Sequence, residues 1–254
     1  MDTASAAPTL RPRLPAAPAI FSMAWQMYRE RFIKFLHLYW LGFLGVLPFM
    51  VVMLLFALTK TFLPGGPTSQ VTTVLLILAG VITLPVAIYF GARTQISIIL
   101  MYSQPPSAAT KEIFAASRQY FWSYLWLVIL TGILVMLWAL LFIIPAIIWG
   151  VFYSFGSLVL VYGGLKGYAA LKHSRELIRG YWWAVFGREM FLGLVFMVIM
   201  IILSIPSSAI PNQGLARDFW NMITQIVNWL IGPFAGLYIY LLYRNLVTIK
   251  NQPV

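Results

Sequence analysis

Apolar residues fill six long blocks of the chain, and the short segments between them carry most of the polar side chains. The blocks run from Phe35 to Leu58, Val71 to Ile99, Phe121 to Ile144, Ala146 to Tyr162, Phe186 to Ile205 and Met222 to Tyr243. A helix rises about 1.5 Å per residue, so about 20 apolar residues bridge a hydrocarbon layer near 30 Å thick. Each block therefore predicts one transmembrane helix. The third and fourth meet at Ile144-Pro145-Ala146 and together are about twice the length one crossing needs. That predicts a tight hairpin with Pro145 near the first turn of the returning helix, where its missing N–H costs least.

A second pattern precedes three of the blocks. In FSMAWQMYRERFIKF, residues Phe21, Ala24, Trp25, Tyr28, Phe32 and Phe35 recur on one side of a helix, with Arg29, Glu30 and Lys34 opposite. In TKEIFAASRQYFWSY the apolar side is Ile113, Phe114, Tyr120, Phe121 and Tyr124 together with Ser117, and Thr110 is placed to cap the helix after Pro105-Pro106. In SRELIRGYWWAVFGRE, Leu177, Ile178, Tyr181, Trp182, Val185 and Phe186 face away from Lys172, Arg175, Glu176 and Arg179. Gly180 weakens that helix where the chain must turn into the bilayer. Such segments predict amphipathic helices lying along the membrane surface, aromatics at head-group depth and cations toward phosphates.

Each surface helix precedes a pair of spans, so the expected fold is an all-α integral membrane protein. Its six transmembrane helices form three pseudo-repeats of interfacial amphipathic helix plus transmembrane hairpin, at about 20–102, 106–164 and 165–250, in one membrane domain over 20–250. Residues 1–19, rich in Pro and Ala and without an apolar core, are expected to form a disordered cytoplasmic tail and not a signal peptide.

Composition sharpens this picture. Of 254 residues, 61% are hydrophobic and only 9% charged, against roughly a quarter in soluble domains. The net charge of +11 comes from basic residues scattered between apolar blocks, which does not make the clustered footprint of a nucleic-acid binder. With the N-terminus inside, the outer segments hold only Lys60 and Arg217, so both termini are expected in the cytoplasm of a bacterial inner membrane. Arg93 lies toward the inner end of the second span, from where it can snorkel. Cysteine is absent, which excludes disulfides, thiolate metal sites and cysteine nucleophiles.

The stretch GYAALKHSRELIRGYWWAVFG, residues 167–187, shows Ala-Leu, then Ser, then a Leu-basic-Gly-aromatic run ending at a span, and it follows a Pro-containing apolar hairpin. The chain thereby resembles the bacterial multi-span family that includes the membrane domain attached to some glycerophosphoryl diester phosphodiesterases, and related uncharacterised inner-membrane proteins. The resemblance implies an all-helical membrane domain. In the fused enzymes the chemistry sits in a separate soluble barrel, so the resemblance carries no catalytic residues to this chain.

The residues themselves offer little chemistry. His37 and His173 lie far apart, no HExxH or Walker-type loop occurs, and no acid falls at mid-membrane. Arg188-Glu189 reads as an interfacial ion pair. No cofactor or metal is expected, and the expected role is non-enzymatic.

Two surfaces remain. Arg29, Lys34, Lys172, Arg175, Arg179, Trp182 and Trp183 make a basic, aromatic cytoplasmic collar suited to membrane lipids, anionic ones included, or to a protein partner. That favours a scaffold or a role in lipid and envelope homeostasis. Asn221, Gln225 and Asn228, with Gly232 and Gly236, share one face of the sixth span. Small-residue faces follow Gly80, Thr83, Ala87, Gly91 and Thr94 in the second span and Gly150, Ser154 and Ser157 in the fourth. These faces are either packing glue between helices or a polar pathway enclosed by the second, fourth and sixth spans. The latter makes a transporter or channel for a lipid or small uncharged solute the alternative.

Overall fold

The computed structural model describes residues 14–62, 67–209 and 214–250. Apolar blocks of this length satisfy their backbone groups by forming helices, and among the described residues there is no strand. The elements are α1 (Ala17–Phe62), α2 (Pro67–Met101), α3 (Thr110–Ala116), α4 (Phe121–Leu141), α5 (Ile143–Tyr153), α6 (Gly156–Tyr162), α7 (Tyr168–Ile178), α8 (Trp182–Ala209) and α9 (Leu215–Lys250). A 3-10 turn over Ser117–Tyr120 joins α3 to α4. Six stretches are long and apolar enough to cross a membrane, with α5 and α6 together forming one of them. The chain is thus an all-helical membrane protein.

The first surface helix is not a separate element. α1 runs unbroken from Ala17 to Phe62, so its charged first half and apolar second half form one rod. Helix begins inside the stretch expected to be tail, and Leu14 is already buried; residues 1–13 lie outside the described part. Thr110 is not the cap of α3 either. Ala109 holds that position, and the Thr110 hydroxyl shares a 2.8 Å hydrogen bond with His37 Nδ1. The break predicted at Gly180 holds, where glycine supplies a φ of 89° between α7 and α8; α6 likewise ends before Gly163 and Gly164, the latter at φ 67°. Pro145 lies in the first turn of α5, although the chain reverses three residues earlier, at the extended Phe142.

Packing is concentrated near one end of the helices. Tyr28 and Phe35 of α1, Tyr102 after α2, Phe155 and α6, and Phe234, Leu237, Tyr238, Leu242 and Tyr243 of α9 form a continuous core rich in aromatic rings. Phe234 meets Phe21, Tyr28 and Phe196 edge-on at centroid distances of 4.9, 5.8 and 6.1 Å. The other ends of the helices carry long rows of exposed Leu, Ile, Val and Met. In four of the six membrane-length stretches only 6% of the most apolar window is covered by protein, so that surface is left for hydrocarbon.

Arg93 is engaged by protein. Its Nε donates to Ser117 Oγ at 3.1 Å, another nitrogen donates to the Phe114 carbonyl, and the guanidinium lies 4.2 Å from the Phe114 ring centroid. It staples α2 to the α3 segment with charge-assisted bonds in a half-buried site.

Candidate functional site

The collar is built around α7. Gly167, at φ 53°, starts the helix, and Ala170, Leu171, Ser174, Leu177 and Ile178 are buried at helical spacing. Protein covers this face, not lipid: a Cβ on Gly156 would meet Leu171 at 2.8 Å, and Ser174 Oγ donates to the Phe152 carbonyl at 2.7 Å. What is corrected is the cover of Leu177 and Ile178, expected against the membrane surface and packed inside the protein instead, since an amphipathic pattern states that one face is apolar and not what covers it. The opposite face, with Lys172, Arg175, Glu176 and Arg179, is exposed. Lys250 Nζ donates to the carbonyls of Glu176 and of Arg179, the latter at 2.9 Å. A cation thereby caps the negative end of the α7 dipole and ties the end of α9 to it.

The remaining collar residues differ in how free they are. Arg29 is exposed, and Trp183 is 77% exposed. Trp182 is half-buried; its Nε1 donates to the Ile148 carbonyl at 3.2 Å and its ring stacks on Phe186 at 5.0 Å. Lys34 is spent on structure, donating to the Ala108 carbonyl, while the neighbouring Arg31 is buried and donates to the Gln104 carbonyl at 3.0 Å. The cations available to a ligand are therefore Arg29 on α1 and Lys172, Arg175 and Arg179 on α7.

Arg188 and Glu189 are not the interfacial pair expected from their adjacency. The Arg188 guanidinium donates to the carbonyls of Pro15 and Leu14, both at 2.8 Å, and to that of Ala184 at 2.6 Å. Glu189 is instead buried beside the Ser154 hydroxyl.

The small and polar faces do not converge on one pathway. The second-span face packs on α1: a Cβ on Gly80 would meet Met53 at 3.3 Å, and one on Gly42 would meet Thr94 at 2.0 Å. Ser157 lines a separate cavity of about 200 Å³ between α4 and the α5–α6 arm. On α9, Gly232 faces Tyr39 of α1, yet Asn221, Gln225 and Asn228 are exposed, and their side-chain amides make no hydrogen bond to another described residue. Within one chain they neither bond a neighbouring helix nor line an enclosed cavity among the described residues.

Replacing all three amides by leucine is accordingly expected to change stability in detergent by no more than the roughly 0.5 kcal/mol typical of surface substitutions. A clear fall in the unfolding temperature of the triple variant would restore the glue reading.

Sequence reasoning missed an apolar groove beside this face. It measures about 550 Å³ and is lined by Ile33, Leu36, His37, Tyr39, Trp40, Phe43 and Trp229. A smaller cavity of about 190 Å³ shares Tyr39, Phe43 and Trp229 and adds Thr94 and Gln95. The signal that could have found it was the aromatic run Tyr39-Trp40 and Phe43 at the head of the first span, opposite a lone tryptophan in the sixth.

Among the described residues no three His, Asp or Glu side chains are grouped as metal ligands would be. Comparison with family models, curated proteins and solved structures returns no match. What the fold and these surfaces define is the class, an all-helical multi-span membrane protein.

Proposed function

We propose that this is a non-enzymatic protein of a bacterial inner membrane that binds anionic lipid at its cytoplasmic face, as a scaffold or in lipid and envelope homeostasis. The observation that carries the reading is the division of labour on α7. Its apolar face is used up inside the protein while Lys172, Arg175 and Arg179 stay exposed. Cations held on a rigid helix next to an exposed tryptophan suit lipid phosphates, whose attraction for a basic side chain near the surface is about 1 kcal/mol each. The excess of Lys and Arg on one side supports placing both termini in the cytoplasm, and the three hairpins, each preceded by an amphipathic segment, support a threefold internal repeat. The groove beside Trp229 fits the same role, since an aromatic wall with almost no polar lining suits an acyl chain. A transporter or channel would need polar faces around one pathway, and the scattered positions of Ser157, Gly80 and Gln225 speak against it.

The test is native mass spectrometry of the purified protein titrated with an anionic and a zwitterionic lipid. Changing Lys172→Gln and Arg179→Gln together removes about 2 kcal/mol of attraction and is expected to weaken anionic-lipid retention about 30-fold, leaving zwitterionic lipid unaffected. Equal retention of both lipids by both proteins would remove the basis for this reading.

A further inference from the structure

A cleft between α1 and α9 gathers opposite charges that the protein itself leaves unpaired. It measures about 340 Å³, within the range of small-molecule sites. We propose that this cleft binds the head group of an ethanolamine phospholipid, a primary ammonium joined to a phosphate diester, with Glu30 taking the ammonium and Arg244 the phosphate. Other helices and a zwitterionic ligand are involved, so nothing here depends on the α7 reading.

Two stripes at helical spacing face each other across it. Met23, Gln26, Met27 and Glu30 follow one another up one side of α1, and Leu241, Arg244 and Asn245 do the same on α9. The helices that carry them are locked together: the Tyr28 hydroxyl donates to the Leu230 carbonyl at 3.0 Å, and the Phe234 ring meets those of Trp25 and Tyr28 at centroid distances of 6.0 and 5.8 Å. The walls are therefore held in place before a ligand arrives, which lowers the cost of binding.

Glu30 and Arg244 are the charged groups among the described residues that line the cleft. Neither forms an ion pair or a side-chain hydrogen bond with the other or with any described residue. A lone anion beside Arg244 would face Glu30, and a lone cation beside Glu30 would face Arg244. A ligand that carries both charges meets neither repulsion. Hydrogen-bonding capacity narrows the choice: a carboxylate only accepts and a guanidinium only donates, so the ligand's cation must bear N–H groups and its anion free oxygens. Asn245 spends its Nδ2 on the Leu241 carbonyl at 2.8 Å, which leaves its Oδ1 as a second acceptor for the ammonium. The unbonded Gln26 amide adds a donor for the phosphate.

Exposed charged side chains settle at the membrane interface or in water and not in hydrocarbon, so the cleft lies where a head group can enter it. Met23, Met27 and Leu241 supply the apolar part of the wall, and methionine adapts its shape to the glycerol and first methylenes of an acyl chain. A quaternary ammonium has no N–H to give Glu30 and Asn245. The cleft therefore separates ethanolamine from choline head groups, although the two carry the same charges.

Native mass spectrometry of the full-length protein, titrated with ethanolamine and choline phospholipids of identical chains, tests this. The wild type is expected to retain the ethanolamine lipid about tenfold better, the low end of what hydrogen bonds to a charged group contribute. Glu30→Gln should remove most of that preference, and Arg244→Gln should weaken retention of both lipids. Both positions are exposed, so the variants should unfold at the wild-type temperature, which shows that any loss is one of binding. Changing Lys172→Gln and Arg179→Gln together should leave the preference intact, so the two surfaces stand or fall separately. Equal retention of the two lipids by the wild type, or a preference undiminished by Glu30→Gln, overturns the proposal. Water-soluble glycerophosphoethanolamine distinguishes the sources of the ligand. If an excess of it displaces the lipid, the head group alone is recognised and the free compound is a ligand too; if it does not, the preference being intact, the cleft is a site for the lipid. Both of these results support the pairing of Glu30 with ammonium and Arg244 with phosphate.

Discussion

Replacing Gly236 by alanine should destabilise the protein markedly, against the intrinsic preference of a helix for alanine. A Cβ there would lie 1.8 Å from the Tyr102 hydroxyl oxygen and 2.7 Å from the ring carbon that bears it. The ring has no room to retreat: Tyr102 is 4% exposed and held between Phe35 and Tyr240 at centroid distances of 6.2 and 5.8 Å. Alanine gains about 1 kcal/mol of helix propensity over glycine, but overpacking a filled core costs about 1–3 kcal/mol, and more when the intruding atom meets a hemmed ring. A net loss of about 2 kcal/mol is expected as a lower unfolding temperature in detergent. Adding Tyr102→Phe removes the nearest atom and should recover part of the loss. An alanine variant as stable as the parent would mean that α9 does not approach Tyr102 this closely.

Arg188→Leu should have an effect of similar size by another route. The guanidinium is the one cation holding the start of the described chain, through Leu14 and Pro15, to α8. Charge-assisted hydrogen bonds contribute roughly 1.5–3 kcal/mol each, and two carbonyls would lose their donor together, so a loss of about 3 kcal/mol follows. Leucine keeps the apolar volume, so packing loss is a minor part. The expected signature is early proteolysis between Leu14 and Ala17 alongside a lower unfolding temperature. If protection of that segment is unchanged, the clamp is not what orders it. Arg188→Lys should restore part of the protection, because one amine can reach one carbonyl but cannot fork across two.

Helix existence, extent and several boundaries could be read from the residues. The apolar blocks predicted the six membrane-length stretches, Gly180 marked a break because glycine alone adopts a positive φ without strain, and Pro145 marked a helix start because it has no N–H to leave unpaired there. The basic character of α7 was equally visible, since a 3.6-residue period separates its faces before any partner is known.

Side-chain engagements were not visible. Arg93 and Lys172 look alike in the sequence, each a cation beside apolar residues. One is enclosed by Ser117, Tyr89 and Phe114, and the other is free. Asn221, Gln225 and Asn228 have the spacing of interhelical glue, but glue needs a second helix within reach, and no other described residue of the chain bonds these amides. The direction of α7 had the largest consequence. Its pattern is the same whether it lies flat on lipid or runs back along α5, and only the second placement sets Arg175 beside Trp149, seven residues from the tip of an apolar hairpin.

By itself the sequence determined that the chain is helical, apolar enough for a membrane and basic in its connecting segments, because length, period and composition are local properties. Only the tertiary structure decided which apolar faces are covered by protein and which stay exposed, and which cations remain available. Those depend on distances between residues remote along the chain, which no local pattern encodes.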